Sequence, residues 1–170
     1  MIIEFTGPSG SGKTETIKDL LYFFEQNNLK SGCILSSSLN SCEMIPSYIS
    51  DKESQNYYTD LYCLPYCFVF LFKYPTFFIF SIYCIIRSKE DLRTKVSIFR
   101  GLIRKSGTYM YLNQRKFKEF LILVDEGIIH SSHNFLVSSS EEKSKDLIRT
   151  FANLCPLPDS LIYIDSSKEI

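Results

Sequence analysis

Residues 7–14 read Gly-Pro-Ser-Gly-Ser-Gly-Lys-Thr and directly follow a short apolar run that contains Ile2, Ile3 and Phe5. The segment matches the phosphate-binding loop G-x-x-x-x-G-K-[ST], which lies between a strand and a helix. Its glycines let successive backbone N–H groups converge on one anion, because no Cβ intervenes. The lysine can then reach the terminal phosphates of a nucleotide, and the threonine hydroxyl can bind Mg²⁺. The predicted nucleotide-binding residues are Gly7, Pro8, Ser9, Gly10, Ser11, Gly12, Lys13 and Thr14.

The segment after this loop has the pattern of an amphipathic helix. Ile17, Leu20, Leu21 and Phe24 recur at the spacing of one helix face, and charged residues occupy the other faces. The N-terminus of such a helix brings the positive end of its dipole to the loop. The sequence therefore predicts a strand at 2–6, a loop at 7–12 and a helix at 13–26.

A second nucleotide-binding signal lies at 120–127, where an unbroken apolar run ends in Asp125, Glu126 and Gly127. Such a run is typical of a central parallel strand that is buried on both faces. Ligands of open α/β sheets bind at the carboxyl ends of the strands, so these two acids are expected at the binding edge. Asp125 is predicted to orient Mg²⁺, through water or through the Thr14 hydroxyl. Glu126 could orient or deprotonate the attacking group, or serve as the structural partner of a nearby cation. The predicted catalytic residues are Lys13, Asp125 and Glu126, and the predicted metal ligands are Thr14 and Asp125.

Composition limits the classes of protein to consider. The 170 residues suffice for one domain with a real core. Because the formal net charge is zero, no basic field attracts nucleic acid, and no nucleic-acid partner is expected. The six cysteines lack the spacing of a metal site, and no secretion signal supports disulfides. Reduced, mostly buried thiols in a cytoplasmic protein are therefore predicted.

The stretch 61–86 is strongly apolar, and Lys73 is its only charged residue. Its length could cross a bilayer once, but one crossing would separate the phosphate loop from the second motif. Two crossings need roughly forty residues, and Pro65 and Pro75 interrupt the stretch. We therefore predict a pair of buried helices broken near Tyr74 and Pro75. Association with a membrane surface or an apolar partner remains the alternative.

The other segments have weaker patterns. Residues 33–35 read as a short buried strand, and the polar residues 39–59 read as a long surface loop or lid. The basic segment 87–119 is predicted to form an amphipathic helix, broken around Ser106 and Gly107 and followed by a second helical piece. Ser139 and Glu142 form a capping box before a helix at 141–154. A fourth strand is predicted at 161–165.

Cationic side chains of the basic segment could bind an anionic group of a substrate. Arg100, Arg104 and Arg115 each carry a guanidinium suited to a phosphate, and a solvated helix face is the alternative. Arg100 and Arg104 are the predicted acceptor-binding residues. His130 and His133 are expected to be structural or surface residues that could also touch the acceptor. Metal ligation by them is not expected, since Mg²⁺ prefers oxygen ligands.

Three segments together resemble the thymidylate kinase-like branch of the nucleoside and nucleotide kinases. They are GPSGSGKT at 7–14, LILVDEG at 121–127 and PDSLIYID at 158–165. The resemblance implies a three-layer α/β P-loop fold with a parallel sheet ordered 2-3-1-4-5. It also implies ATP and Mg²⁺ as cofactors and transfer of a phosphoryl group to a small acceptor. Residues 39–119 match no segment of the family and are expected to be a variable, acceptor-side insertion.

Two departures from the family modify these expectations. Asp125 is followed by Glu126 where the family has an arginine, which puts a nucleoside monophosphate acceptor in doubt. The sequence also stops at Ile170, before the arginine-bearing lid and fifth strand of the family. We therefore expect one domain over 1–170 with strand order 2-3-1-4 and an incomplete C-terminus. A nucleotide-binding module or degenerate P-loop ATPase without phosphotransfer is the alternative function, and a homodimer is left open.

Overall fold

The computed structural model describes residues 1–34, 52–114, 117–131, 136 and 141–165. Four parallel strands form one sheet with the order β2-β3-β1-β4. The strands are β1 (Ile2–Thr6), β2 (Ser31–Ile34), β3 (Leu121–Asp125) and β4 (Ser160–Tyr163). The helices are α1 (Lys13–Gln26), α2 (Lys52–Lys73), α3 (Pro75–Arg87), α4 (Leu92–Leu112) and α5 (Glu141–Leu154). The predicted α/β class and the strand order 2-3-1-4 are confirmed.

The chain divides into two compact units. The first unit comprises Met1–Thr59, Leu112–Gly127 and Leu157–Ile170, and the second comprises Asp60–Tyr111 and Ile128–Pro156. The first therefore contains the sheet and α1, while the second contains α3, α5 and most of α2 and α4. The expectation of one domain over 1–170 stays a prediction.

The core of the first unit lies between the sheet and α1. Phe5, Ile17 and Leu123 are fully buried there, and Ile3 and Cys33 complete the cluster. Along β1, alternate side chains point to opposite faces of the sheet, so Ile3 and Phe5 share the α1 face. In the β1–β3 pairing, Phe5 lies opposite Asp125. This register brings the end of β3 level with the start of the phosphate loop.

The core of the second unit is formed by helices and is rich in aromatic rings. Phe70 of α2 is fully buried and packs edge-on against Phe77 of α3, with the ring centroids 5.7 Å apart. Phe77 in turn packs against Phe151 of α5 at 5.2 Å. Leu102 of α4 belongs to the same buried cluster as these rings. The predicted helix at 141–154 is confirmed, and Phe151 lies on its buried face. The predicted capping box lies outside the residues whose side chains are described.

The predicted loop at 39–59 is wrong over its last residues. Residues 35–51 lie outside the described part, but α2 begins at Lys52 and continues to Lys73. The segment 52–59 contains neither glycine nor proline, so it can form the first turns of a helix. The apolar residues further along the same helix supply the packing that stabilises it. Polarity alone indicated a loop, whereas the helix is favoured by the apolar sequence that follows.

The predicted break near Tyr74 and Pro75 is confirmed, because α2 ends at Lys73 and α3 begins with Pro75 at its first position. Pro65, in contrast, does not interrupt α2. Proline has no backbone N–H, so the Leu61 carbonyl loses its helical hydrogen-bond donor at Pro65. Both Pro65 and Leu61 lie on the exposed side of the helix. Water can solvate that carbonyl, so the helix continues.

The prediction that these two helices are buried is wrong for one face of each. Cys63, Cys67 and Phe70 of α2 are buried, but Phe68 and Phe72 on its other side are exposed. No single helix in the described residues has the length and apolarity of a membrane span. The segments Thr59–Lys73 and Pro75–Arg87 reach those criteria only when taken together, and a bend of 109° separates them.

The predicted helix break at Ser106 and Gly107 is wrong, since α4 is continuous from Leu92 to Leu112. A Cβ built on Gly107 would lie 2.3 Å from the carbonyl oxygen of Cys63. The backbones of α4 and α2 therefore pass too close together at Gly107 for a side chain, and glycine is required there for packing. The Cys63 Sγ lies 3.6 Å from the Thr108 Oγ1 at the same crossing.

Candidate functional site

The phosphate loop joins β1 to α1, as predicted. Gly7, Gly10 and Gly12 have φ values of 147°, 79° and 85°, the left-handed region that L side chains rarely adopt. A Cβ on Gly7 would lie 2.2 Å from the Ile164 carbonyl oxygen, so the loop passes too close to the end of β4 for any side chain. The loop conformation thus depends on glycine at these positions.

The first turn of α1 has the features of an anion-binding helix terminus. Gly12 occupies the N-cap position and supplies no side-chain hydrogen bond to the first N–H groups of the helix. These groups have no partner within a helix and carry partial positive charge. The Ser11 hydroxyl beside them is buried, with no hydrogen-bond partner in the described part of the chain. An anion such as a phosphate would satisfy these donors, so the loop fits the ligand that its sequence predicts.

Lys13 is folded back over this loop and is only 6 % exposed. Its Nζ donates hydrogen bonds to the carbonyl oxygens of Gly7, at 3.0 Å, and Pro8, at 2.7 Å. Both acceptors are backbone carbonyls, which carry no net charge. Phosphate oxygens of a bound anion would be stronger, charge-assisted acceptors for the same group.

Thr14 and Asp125 meet although they are 111 positions apart in the sequence. The Thr14 Oγ1 donates to the Asp125 Oδ2 at 3.3 Å, a long distance for such a bond. Asp125 ends β3 and is 6 % exposed, while Thr14 is exposed on α1. The contact brings together the two predicted Mg²⁺ ligands, a hydroxyl and a carboxylate, which are oxygen ligands of the kind that Mg²⁺ prefers.

Glu126 directly follows β3 with a φ of 56°, an uncommon conformation for a residue other than glycine. Its backbone N–H donates to the Phe5 carbonyl oxygen at 3.3 Å, which fixes the chain at the end of β1. Glu126 as a residue is half-buried. The strained backbone therefore holds a second acid next to Asp125 at the same edge of the sheet.

Glu4 is a carboxylate of this region that the sequence patterns did not single out. It lies in the middle of β1, is only 3 % exposed, and packs against Gly127. A Cβ on Gly127 would lie 2.5 Å from the Glu4 Oε2. The available signal was a charged residue inside the apolar run at 2–5, which marks a buried ionisable group.

The predicted acceptor-binding arginines converge on one carboxylate of the second unit. Arg104 donates to the Asp60 Oδ1 from Nε at 2.8 Å and from Nη2 at 2.6 Å. Arg100 donates to the Asp60 Oδ2 from Nε at 3.1 Å and also from Nη2. The structure thus brings the two arginines together and pairs them with an acid that sequence reasoning missed.

The remaining predicted residues add little to the site. His130 is half-buried in the second unit, while His133 and Arg115 lie outside the described residues. Within the described ranges, no group of three or more His, Cys, Asp or Glu side chains is arranged to hold a metal ion. The five cysteines that are described are buried thiols outside any disulfide, and burial raises the pKa of Cys67 and of Cys84 to about 11.

Comparison with known proteins finds neither a family model nor a curated protein that matches this chain. The described residues form an α/β fold with a parallel four-stranded sheet, ordered 2-3-1-4. This fold is compatible with a P-loop protein.

Proposed function

We propose that this chain is a P-loop kinase that binds ATP with Mg²⁺ and transfers the γ-phosphate to a small acceptor. A nucleoside, a nucleotide or a similar small molecule is the acceptor class, as the resemblance to the thymidylate kinase-like branch implies. The observation that carries the proposal is the contact of Thr14 with Asp125. It joins the phosphate loop to the carboxyl end of the neighbouring parallel strand, where ligands of such sheets bind.

Each residue of the loop has a role in this proposal. Backbone N–H groups of Gly10 and Gly12 and of the first turn of α1 would bind phosphate oxygens. Lys13 would neutralise charge on the terminal phosphates, and Thr14 with Asp125 would hold Mg²⁺. Bound Mg²⁺ would supply charge neutralisation at the transferred phosphoryl group. The glycine conformations and the two carbonyl contacts of the Lys13 Nζ support this assignment.

Glu126 is the proposed group for orienting or deprotonating the acceptor hydroxyl. A general base must lie within hydrogen-bond reach of the proton that it removes. The position of Glu126 directly after Asp125, in a conformation that costs about 1 kcal/mol or more, supports a functional role for its carboxylate. The cytoplasmic location expected from the cysteines is part of the same proposal.

A nucleotide-binding module without phosphotransfer is the second candidate. It is favoured by the ion pairs of Arg100 and Arg104 with Asp60, which occupy the guanidinium groups proposed to bind the acceptor. Such a protein would bind Mg²⁺ and ATP through the same loop, hydrolyse ATP slowly and show no stimulation by acceptors.

The two candidates are distinguished by following radiolabelled γ-phosphate in the presence of nucleosides, nucleotides and sugars. The kinase proposal predicts a labelled acceptor whose formation requires Mg²⁺ and is lost in Lys13→Ala. Lys18→Ala is the matched control, since Lys18 is exposed on the same helix and pairs with Glu15 at 2.8 Å. ATP binding without any labelled acceptor would favour the second candidate, and absence of ATP binding would reject both.

A further inference from the structure

The outward side of α2 carries a continuous row of apolar side chains. Leu61, Leu64, Phe68, Val69 and Phe72 are all exposed, and Phe72 is 84 % exposed. Their spacing, at i, i+3, i+7, i+8 and i+11, is that of one helix face. We call these five residues the α2 stripe. Because the opposite side of α2 already packs into the core of the second unit, the stripe is apolar surface that the core does not use.

The two following helices repeat this arrangement. Ile79, Tyr83 and Ile86 are exposed on α3 at i, i+4 and i+7, while its other side is buried. On α4, Leu92 and Val96 are exposed at i and i+4. Single exposed apolar residues need no explanation, whereas a row of them along one helix face is typical of a binding surface.

Cations accompany these rows. Lys73 follows Phe72 and lies over the Tyr74 ring, and Arg87 lies over the Tyr83 ring at 5.3 Å. At the corner between α3 and α4, the Lys95 Nζ donates to the Ile86 carbonyl oxygen at 2.8 Å. Aromatic and cationic side chains at the ends of apolar rows are typical of protein surfaces that lie at the boundary of lipid and water.

The charge of this region differs from that of the whole chain. The segment Asp60–Tyr111 of the second unit contains eight Lys and Arg residues against three Asp and Glu residues. The other segment of that unit, Ile128–Pro156, contains three of each, whereas the whole chain is neutral. An excess of positive charge therefore coincides with the exposed apolar rows.

We infer that the α2 stripe and the exposed row of α3 bind the surface of an anionic lipid membrane. Apolar rows would insert at the level of the headgroups, and the adjoining cations would attract anionic lipids. Both helices bury their opposite side in the protein core, so they lie on the membrane surface. Charge also favours a lipid membrane over a second copy of this chain as the partner. Self-association through this surface would bring two positively charged surfaces together, and they would repel each other.

Cosedimentation of the purified chain with vesicles tests this inference. Vesicles of phosphatidylcholine with about 30 % phosphatidylserine should bind the chain, and added salt should weaken the binding through screening. Vesicles of phosphatidylcholine alone should bind it several-fold more weakly. Equal binding to both kinds of vesicle would contradict the role of the cations, and binding to neither would overturn the inference.

Single substitutions locate the surface. Phe72→Ser should lower the partition coefficient about tenfold, because a large apolar side chain is no longer transferred to lipid. Arg87→Gln should lower it about fivefold on the anionic vesicles alone. Phe23→Ser is the matched control, since Phe23 is 58 % exposed on α1 of the first unit, and it should bind like the unchanged chain.

Two further results decide against the inference. Equal losses in Phe72→Ser and Phe23→Ser would show nonspecific adsorption of apolar side chains. A chain that self-associates through Phe72 and binds no vesicles would assign the surface to a second copy. Lys13→Ala should bind vesicles normally, so a failure of the nucleotide-binding proposal and a failure of this one are distinguishable.

Discussion

At the scale of single residues, the site depends on backbone conformations as much as on charged groups. Three glycines of the loop have positive φ, and so does Glu126, which has a Cβ. The motif specified the glycines through its fixed spacing, so their roles could be predicted from the sequence. The conformation of Glu126 could not, because no local pattern predicts left-handed backbone at a glutamate. It follows from the hydrogen bond of its N–H to the Phe5 carbonyl, a contact with a distant strand.

The backbone strain at Glu126 predicts a difference between two substitutions. Glu126→Gly and Glu126→Ala both remove the carboxylate, but only glycine adopts positive φ without cost. The glycine variant should therefore have a free energy of unfolding about 1 kcal/mol higher than that of the alanine variant. Urea denaturation measures this difference, and an alanine variant of equal or greater stability would contradict the assigned strain.

Two glycines of the loop should differ in their tolerance of alanine. A Cβ on Gly7 would overlap the Ile164 carbonyl oxygen, whereas a Cβ on Gly10 meets no atom of the described residues within 4 Å. Gly10→Ala should therefore cost about 1 kcal/mol from its positive φ alone. Gly7→Ala should cost more, by about 1–3 kcal/mol, through overpacking. Thermal unfolding compares the two variants, and equal losses would refute the close approach of β4.

At the scale of the elements, local patterns predicted most boundaries and failed where tertiary packing decides. The predicted bounds 2–6, 13–26 and 141–154 are confirmed. Gly107 looked like a helix terminator, since glycine often ends helices, but its role is set by the Cys63 backbone on another helix. The exposed row of α2 was likewise unpredictable, because spacing cannot distinguish a buried apolar face from an exposed one.

The helix α4 contains a matched pair of glycines for testing this packing. Gly101→Ala should raise the free energy of unfolding by about 0.5–1 kcal/mol. Alanine favours helix, and no atom in the described part of the chain lies within 4 Å of a Cβ built there. Gly107→Ala should lower it by about 1–3 kcal/mol, because the Cβ would displace the backbone of α2. Chemical denaturation gives both values, and stabilisation by Gly107→Ala would contradict the helix crossing.

Asp91 should make the start of α4 sensitive to acid. The side-chain hydrogen bond with Thr94, and then the backbone N–H groups of Thr94 and Arg93, hold the pKa of Asp91 below its usual value. Because the folded state lowers this pKa, the stabilisation is fully present above about pH 4 and is lost as the pH falls below it. Asp91→Asn should lose this part of the acid dependence, measured as the denaturation midpoint against pH. An unchanged profile would contradict the cap.

At the scale of the whole molecule, the net charge of the complete sequence does not reveal that one region is basic. The neutral net charge predicted no basic field that would attract nucleic acid. The segment Asp60–Tyr111 is nevertheless basic, and the compensating acids lie elsewhere in the sequence. The sheet order could be predicted because the resemblance of three segments to the thymidylate kinase-like branch implies it. The division into two compact units could not, since each unit combines segments that are far apart in the sequence.

The proposed function depends on binding of a nucleotide by the loop at 7–14 through Lys13. Isothermal titration of the chain with ATP in the presence of Mg²⁺ measures this binding. We expect saturable binding that Lys13→Ala weakens about tenfold to a hundredfold, as the loss of a charge-assisted contact should, while Lys18→Ala binds like the unchanged chain. Equal affinity of Lys13→Ala and the unchanged chain, or no binding by the unchanged chain, would contradict it.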